Sequence, residues 1–261
     1  MDDCAVVFEV LGAVAWLRLN RPKALNALNL DILAELERHL IEIAARDDLR
    51  VVALTGNGRA FCAGADLKQV LAGQNAAPGE LDFIDRASQV FARLRDLPKP
   101  VIAALNGVTM AGGLELAMCA DLILAAESAT IGDAHANFGV YPGAGGAAIL
   151  PRLIPLNMAM YLLFTGKSLS ATEMKACGLV CEVHADALLA EAVQDLAEEI
   201  AAKSPVALRR MKQVARASAD HSRAAALLHE QVMFREHLRS QDLQEGLLAF
   251  AEHRAPQFIG R

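Results

Sequence analysis

The chain has 261 residues, 54% of them apolar and 21% charged, with a formal net charge of −6. That is enough for one large domain, or one domain with a helical extension, and it excludes disorder over most of the length. With 31 acidic residues against 25 basic ones there is no overall basic field to attract nucleic acid, so none is expected as a partner.

Residues 5–10 and 13–19 are apolar runs flanking Leu11-Gly12 and predict a β-hairpin, ended by Asn20-Arg21-Pro22. Residues 30–45 carry apolar side chains at helical spacing, with Asp31 and Glu35 early and Arg46 late, and predict a helix; 51–55 is a buried strand. Gly56 and Gly58 begin a dinucleotide fingerprint, but Phe61 stands where its third glycine belongs. Residues 74–79 read as a flexible loop, and 81–97 as a helix stopped by Pro98.

Residues 101–105 form an apolar strand that meets a turn at Asn106-Gly107, and Gly112-Gly113 then opens an apolar helix carrying one acid, Glu115. A helix start leaves backbone N–H groups unpaired and concentrates partial positive charge, so it can hold an oxygen that becomes negative during a reaction. Glu115, on the first turn, could act as a base beside that oxygen; the bland alternative is a glycine-rich core helix with a stray carboxylate. The window 100–126 is nearly uncharged, but Asn106, Glu115, Asp121 and its helix breakers argue for a buried segment, not a membrane span.

Residues 122–125 form another short strand, followed by an irregular stretch over 131–146. Gly143-Ala144-Gly145-Gly146 reads as an ordinary helix start, and Thr165-Gly166-Lys167-Ser168 lacks the first glycine of a phosphate loop. From Ala185 onward the pattern is helical only, over about 185–203, 205–218, 222–238 and 241–252. His221, His229 and His237 recur there and read as solvated helix histidines, not a metal site. Alternating strands and helices followed by helices alone give an α/β class, with residues 1–200 as the core and 201–261 as a helical region for packing between subunits.

The cysteines Cys4, Cys62, Cys119, Cys177 and Cys181 are odd in number and scattered. They read as small buried hydrophobes in a reducing, cytoplasmic compartment. The acidic start Met-Asp-Asp-Cys lacks the features of a secretory signal.

Four separated blocks, 61–67, 106–117, 142–146 and 166–171, together resemble the enoyl-CoA hydratase/isomerase (crotonase) superfamily, and the resemblance runs from Asn20-Arg21-Pro22 to Phe258. It implies a spiral of β-β-α units with a helical C-terminal region, assembled as a homotrimer or dimer of trimers. The substrate is expected to be an acyl-CoA thioester, with no cofactor beyond its coenzyme A. By the same resemblance the backbone amides of Ala65 and Gly112 are the oxyanion donors. Ala63, Asp66, Leu67, Lys68 and Gly113 line the substrate site, with Phe138 and Tyr141 among the walls of the acyl pocket. Phe258 approaches coenzyme A from the same or a neighbouring subunit.

Hydratases of this family employ two glutamates. The first is Glu115, whereas His135 holds the second position. Either His135 takes over proton transfer, oriented by Asp133 from the same side of an extended segment, or it is structural and Glu115 works alone. The expectation is hydratase-type addition of water, with Glu115 and His135 in the acid–base roles. An acyl-CoA hydrolase, a carbon–carbon-cleaving relative, an isomerase and a non-catalytic CoA-ester binding protein stand as alternatives.

Overall fold

The computed structural model describes residues 4–73 and 82–261; the 74–79 loop expectation falls outside them. β1 (Val6–Leu11) and β2 (Val14–Leu19) form the expected antiparallel hairpin. Helix α1 (Leu30–Ala45) starts at Asn29, whose side chain accepts from the Ile32 amide, and buries Ile32, Leu33, Leu36, Leu40 and Ile43.

Three strand pairs follow: β3 (Val51–Gly56) with β4 (Ala60–Cys62), β5 (Val101–Leu105) with β6 (Val108–Met110), and β7 (Leu122–Ala126) with β8 (Thr130–Gly132). Helices α2 (Leu67–Gly73) and α3 (Phe83–Arg95) follow the first pair, and α4 (Gly112–Ala117) follows the second. In each pair the first strand enters one sheet and the second turns a corner into another. The large sheet has the order β1-β2-β3-β5-β7-β10, where β10 is Glu182–His184, and is parallel beyond the hairpin. The small sheet has the order β4-β6-β8-β9, where β9 is Ser168–Ser170; its first three strands are parallel. This is the spiral of β-β-α units that the resemblance implies.

The inner strands of the large sheet are buried on both faces, which is why β3 and β5 read as unbroken apolar runs. Asn106 ties the corners together: its Oδ1 accepts from Thr55 Oγ1 and Gly56 N, both at 3.1 Å, while its Nδ2 donates to the Gly58 carbonyl at 2.9 Å. Helices α5 (Gly146–Leu153), α6 (Leu156–Thr165) and α7 (Ala171–Ala176) precede β10. Helix α8 (Leu189–Ala201) then covers the large sheet, its Gln194 accepting from Trp16 Nε1 at 2.7 Å.

Helices α9 (Pro205–Ser218), α10 (Arg223–His237) and α11 (Gln241–Ala251) complete the chain close to the expected bounds. Asp121 ties α9 to the body by accepting from Lys212 Nζ at 2.7 Å and Arg216 Nη2 at 2.6 Å. Two expectations are corrected. Cys181 is exposed beside the edge strand β10, while Cys62 and Cys119 are buried and Cys4 and Cys177 partly so. His221 lies in the turn before α10 and stacks edge-on against His229 at 6.4 Å. Among the described residues no cluster of three His, Cys, Asp or Glu side chains could hold a metal.

Candidate active site

The parallel strands β4, β6 and β8 lie side by side, and the chain leaving each carboxyl end carries a predicted site residue: Ala65 after β4, Gly112 after β6, and Asp133 with His135 after β8. Carboxyl ends of parallel strands are where loops can converge on a ligand without disturbing the sheet. A cavity of about 300 Å³ opens there, lined among others by Ala65, Gly112, Glu115 and His135.

The direction of the Ala65 amide follows from its neighbours. Leu28 forms an isolated parallel bridge to Ala65: the Leu28 amide donates to the Gly64 carbonyl and the Asp66 amide donates to the Leu28 carbonyl, each at 2.8 Å. In such a bridge the groups flanking Ala65 face Leu28, so its own N–H points away from Leu28, and Ala65 is among the residues that line the cavity. Arg21 fastens this clamp, donating to the Ala27 carbonyl at 2.6 Å and to Asp66 Oδ2 at 3.2 Å.

On the other side, Ala111 donates to the Gly132 carbonyl and its own carbonyl accepts from Glu115 N, both at 3.0 Å. Its φ of 49° and ψ of −122° form a conformation that costs a side-chain-bearing residue strain. That turn leads into Gly112, the first residue of α4, which lines the cavity. Gly113 is required by sterics, and Gly112 sits in a tight fit. A Cβ on Gly112 would lie 3.3 Å from the Ala65 nitrogen, and one on Gly113 would overlap the Cys62 carbonyl. Neither the Ala65 nor the Gly112 amide has a protein acceptor among the described residues.

Glu115 is 4% exposed and lines the same cavity. Its Oε1 accepts from the Ala144 amide at 2.9 Å and the Gly146 amide at 2.8 Å, which leaves Oε2 free to take a proton. The glycine-rich 143–146 stretch is therefore a helix start, as expected, and also the socket of the carboxylate. Two N–H donors at a helix start are a favourable setting for a negative charge.

His135 and Asp133 do meet, but not along an extended segment. Ala134 takes a left-handed turn, φ 59°, and a short 3₁₀ turn follows over His135–Phe138. Folding back this way lets Asp133 Oδ1 receive both the His135 backbone amide, at 3.3 Å, and ring Nδ1, at 2.9 Å. Asp133 is 1% exposed, and its Oδ2 has no hydrogen-bond partner among the described residues. Burial pushes the imidazole toward the neutral form, but the hydrogen bond and charge of Asp133, with the Glu115 carboxylate nearby, outweigh it. The His135 pKa is accordingly raised above 6.5.

Of the remaining expected site residues, Ala63, Leu67, Phe138 and Tyr141 line the cavity, the two aromatics being largely exposed. Gly113 packs α4 against β4, and Asp66 is held by Arg21 and accepts from the Lys68 amide, so neither is a wall of the cavity. Lys68 is exposed outside it. Phe258 does not join them within this chain: it packs by Gly246 of α11, and its carbonyl accepts from Arg50 at 2.6 Å. Sequence reasoning missed Arg21, Leu28 and Ala111. Arg21-Pro22 was visible, but only as the end of a hairpin.

Comparison with known proteins points to one family. The sequence profile of the enoyl-CoA hydratase/isomerase family matches residues 9–261. The 2,3-dehydroadipyl-CoA hydratase of Escherichia coli (strain K12) is 37% identical, the alignment covering 95% of this chain and 96% of that one. The short-chain-enoyl-CoA hydratase of Clostridium acetobutylicum is also 37% identical, covering 95% of each. The crystal structure of an enoyl-CoA hydratase from Bacillus anthracis superposes with a TM-score of 0.91 at 36% identity, covering 98% of this chain and 100% of that one. From the paired amides, the socketed glutamate and these likenesses together, the chain belongs to the enoyl-CoA hydratase/isomerase family.

Proposed function

We propose that this protein is an enoyl-CoA hydratase-type lyase that adds water across the α,β double bond of an acyl-CoA thioester, or removes it in reverse. The observation that carries the reading is one cavity lined by Ala65 and Gly112, whose amides have no protein acceptor among the described residues, by a glutamate with one oxygen outside its two amide hydrogen bonds, and by a histidine that Asp133 holds toward its protonated form. The thioester oxygen sits between the Ala65 and Gly112 N–H groups, which stabilise the negative charge it gains when the β-carbon is attacked. Losing one such donor costs about 3 kcal/mol of barrier.

Glu115 Oε2 takes a proton from water as the oxygen bonds to the β-carbon. The resulting enolate collapses as its α-carbon takes a proton from His135 Nε2. Asp133, accepting from Nδ1–H, fixes the tautomer that directs Nε2–H inward. The substrate supplies coenzyme A and no further cofactor takes part. Ala63 and Leu67 flank the thioester, Lys68 meets the adenine or phosphate end of coenzyme A outside the cavity, and Phe258 meets coenzyme A only from a neighbouring subunit.

Met211, Leu227, Phe234 and Phe250 are each more than half exposed on α9–α11, which supports assembly into a trimer or a dimer of trimers. No helix among the described residues is long and apolar enough to cross a membrane. We place the enzyme in the cytoplasm on its scattered free cysteines.

The test is hydration of crotonyl-CoA, followed by loss of the conjugated-thioester absorbance. Glu115→Gln and His135→Ala are each expected to lower kcat by at least about a hundredfold. Equal turnover by wild type and both variants would refute these acid–base roles. The Asp133–His135 dyad beside an oxyanion site also favours a second reading, in which the imidazole activates water toward the carbonyl. Release of free thiol from saturated acyl-CoA would mark that hydrolase.

A further inference from the structure

The acyl-CoA reading leaves open which acyl groups the cavity takes, and the charges around it narrow the choice. We infer that the site selects thioesters with a neutral, apolar acyl group and rejects those ending in a second carboxylate; this rests on the reading above and sharpens it. The walls come from α2 and α3, through Leu67, Val70, Phe83, Ile84 and Phe91, with Val140 also lining the cavity. Among the described residues, the polar side chains lining it are Glu115, His135 and Tyr141.

Among the described residues, no Lys or Arg lines the cavity. The basic side chains of α3 are engaged elsewhere. Arg86 and Arg93 pair with Glu37 of α1 at 3.4 and 3.6 Å, and Arg95 contacts Cys119 Sγ at 3.9 Å. Arg21 is held by Asp66 and the Ala27 carbonyl. Among the described lining residues His135 is the one able to become cationic, and Asp133 already answers that charge at 2.9 Å. A substrate carboxylate inside the cavity would therefore enter apolar walls and join two protein carboxylates with no free cation among the described lining residues, Lys68 of α2 standing exposed outside it, a placement strongly disfavoured relative to water.

The E. coli relative is named for 2,3-dehydroadipyl-CoA, a thioester whose acyl group does end in a carboxylate. The substrate inferred for this chain differs from it in that terminal group.

The test compares hexanoyl-CoA with adipyl-CoA, saturated esters of equal acyl length that hydration cannot consume, titrated calorimetrically into the purified enzyme beside free coenzyme A. Hexanoyl-CoA is expected to bind about a hundredfold more tightly than adipyl-CoA. Ile84→Lys, which places a cation on the wall, is expected to narrow that ratio at least about tenfold, with free coenzyme A binding showing that the variant is folded. Adipyl-CoA binding within about threefold of hexanoyl-CoA in the wild type, or an unchanged ratio in the folded variant, overturns the inference. If neither ester binds better than free coenzyme A, the cavity is not an acyl site and the hydratase reading falls with the inference.

Discussion

Replacing Asp133 by Asn tests the proton chemistry most directly, because it keeps an oxygen for His135 Nδ1–H while removing the charge that favours imidazolium. In the wild type, burial pulls the His135 pKa down, while the Asp133 hydrogen bond, the Asp133 charge and the Glu115 charge raise it above 6.5. The variant loses the Asp133 charge and keeps the burial. Exchanging a charge-assisted hydrogen bond for a neutral one gives up about 1 to 1.5 kcal/mol. At 1.36 kcal/mol per tenfold, that is about a five- to thirteenfold smaller imidazolium population at any pH on the alkaline side.

The assay is the pH dependence of kcat/KM for crotonyl-CoA hydration. The alkaline limb reports the acid in the free enzyme, and it is expected to move to lower pH in Asp133→Asn, with activity along that limb down by about that factor. Stability responds with the same sign. A histidine whose folded-state pKa is raised contributes stability that is fully present below its unfolded pKa near 6.5 and is lost as pH rises through the folded value. The variant should show less of that pH-dependent stability. An alkaline limb that stays in place would show that His135 is not the acid, and the role assigned to it would fail.

Arg21→Ala frees the loop that aims the Ala65 amide without touching the cavity; kcat is expected to fall about tenfold, with KM changing less than about threefold, because a donor is misaimed and not removed. Arg21→Lys should recover part of the loss, since a lysine reaches one of the two partners but not both as a fork. An equal effect on kcat and KM would argue against positioning. Ala111→Gly relieves a strained backbone worth about 1–3 kcal/mol, against about 0.5–1 kcal/mol lost to the added flexibility of glycine. The melting temperature is therefore expected to rise by about 2–4 °C, and a fall would show that the 49° φ is not a strain.

The sequence by itself determined the elements whose signal is local. The hairpin, α1, β3, β5 and the last three helices follow from apolar periodicity and caps, and lie within a few residues of expectation. The position of Glu115 on the first turn after a glycine pair was legible for the same reason.

What the tertiary structure decided is the convergence. Strands β4, β6 and β8 have three residues each, too short to show a period, yet they carry the three loops of the site side by side. The left-handed turn at Ala134 has no sequence signal, since alanine rarely adopts it; only packing holds it, and it brings His135 back onto Asp133. The clamp by Leu28 and Arg21 joins residues far apart in the chain. Local residue preferences cannot encode such pairings, because they arise only once the sheets have closed around the core.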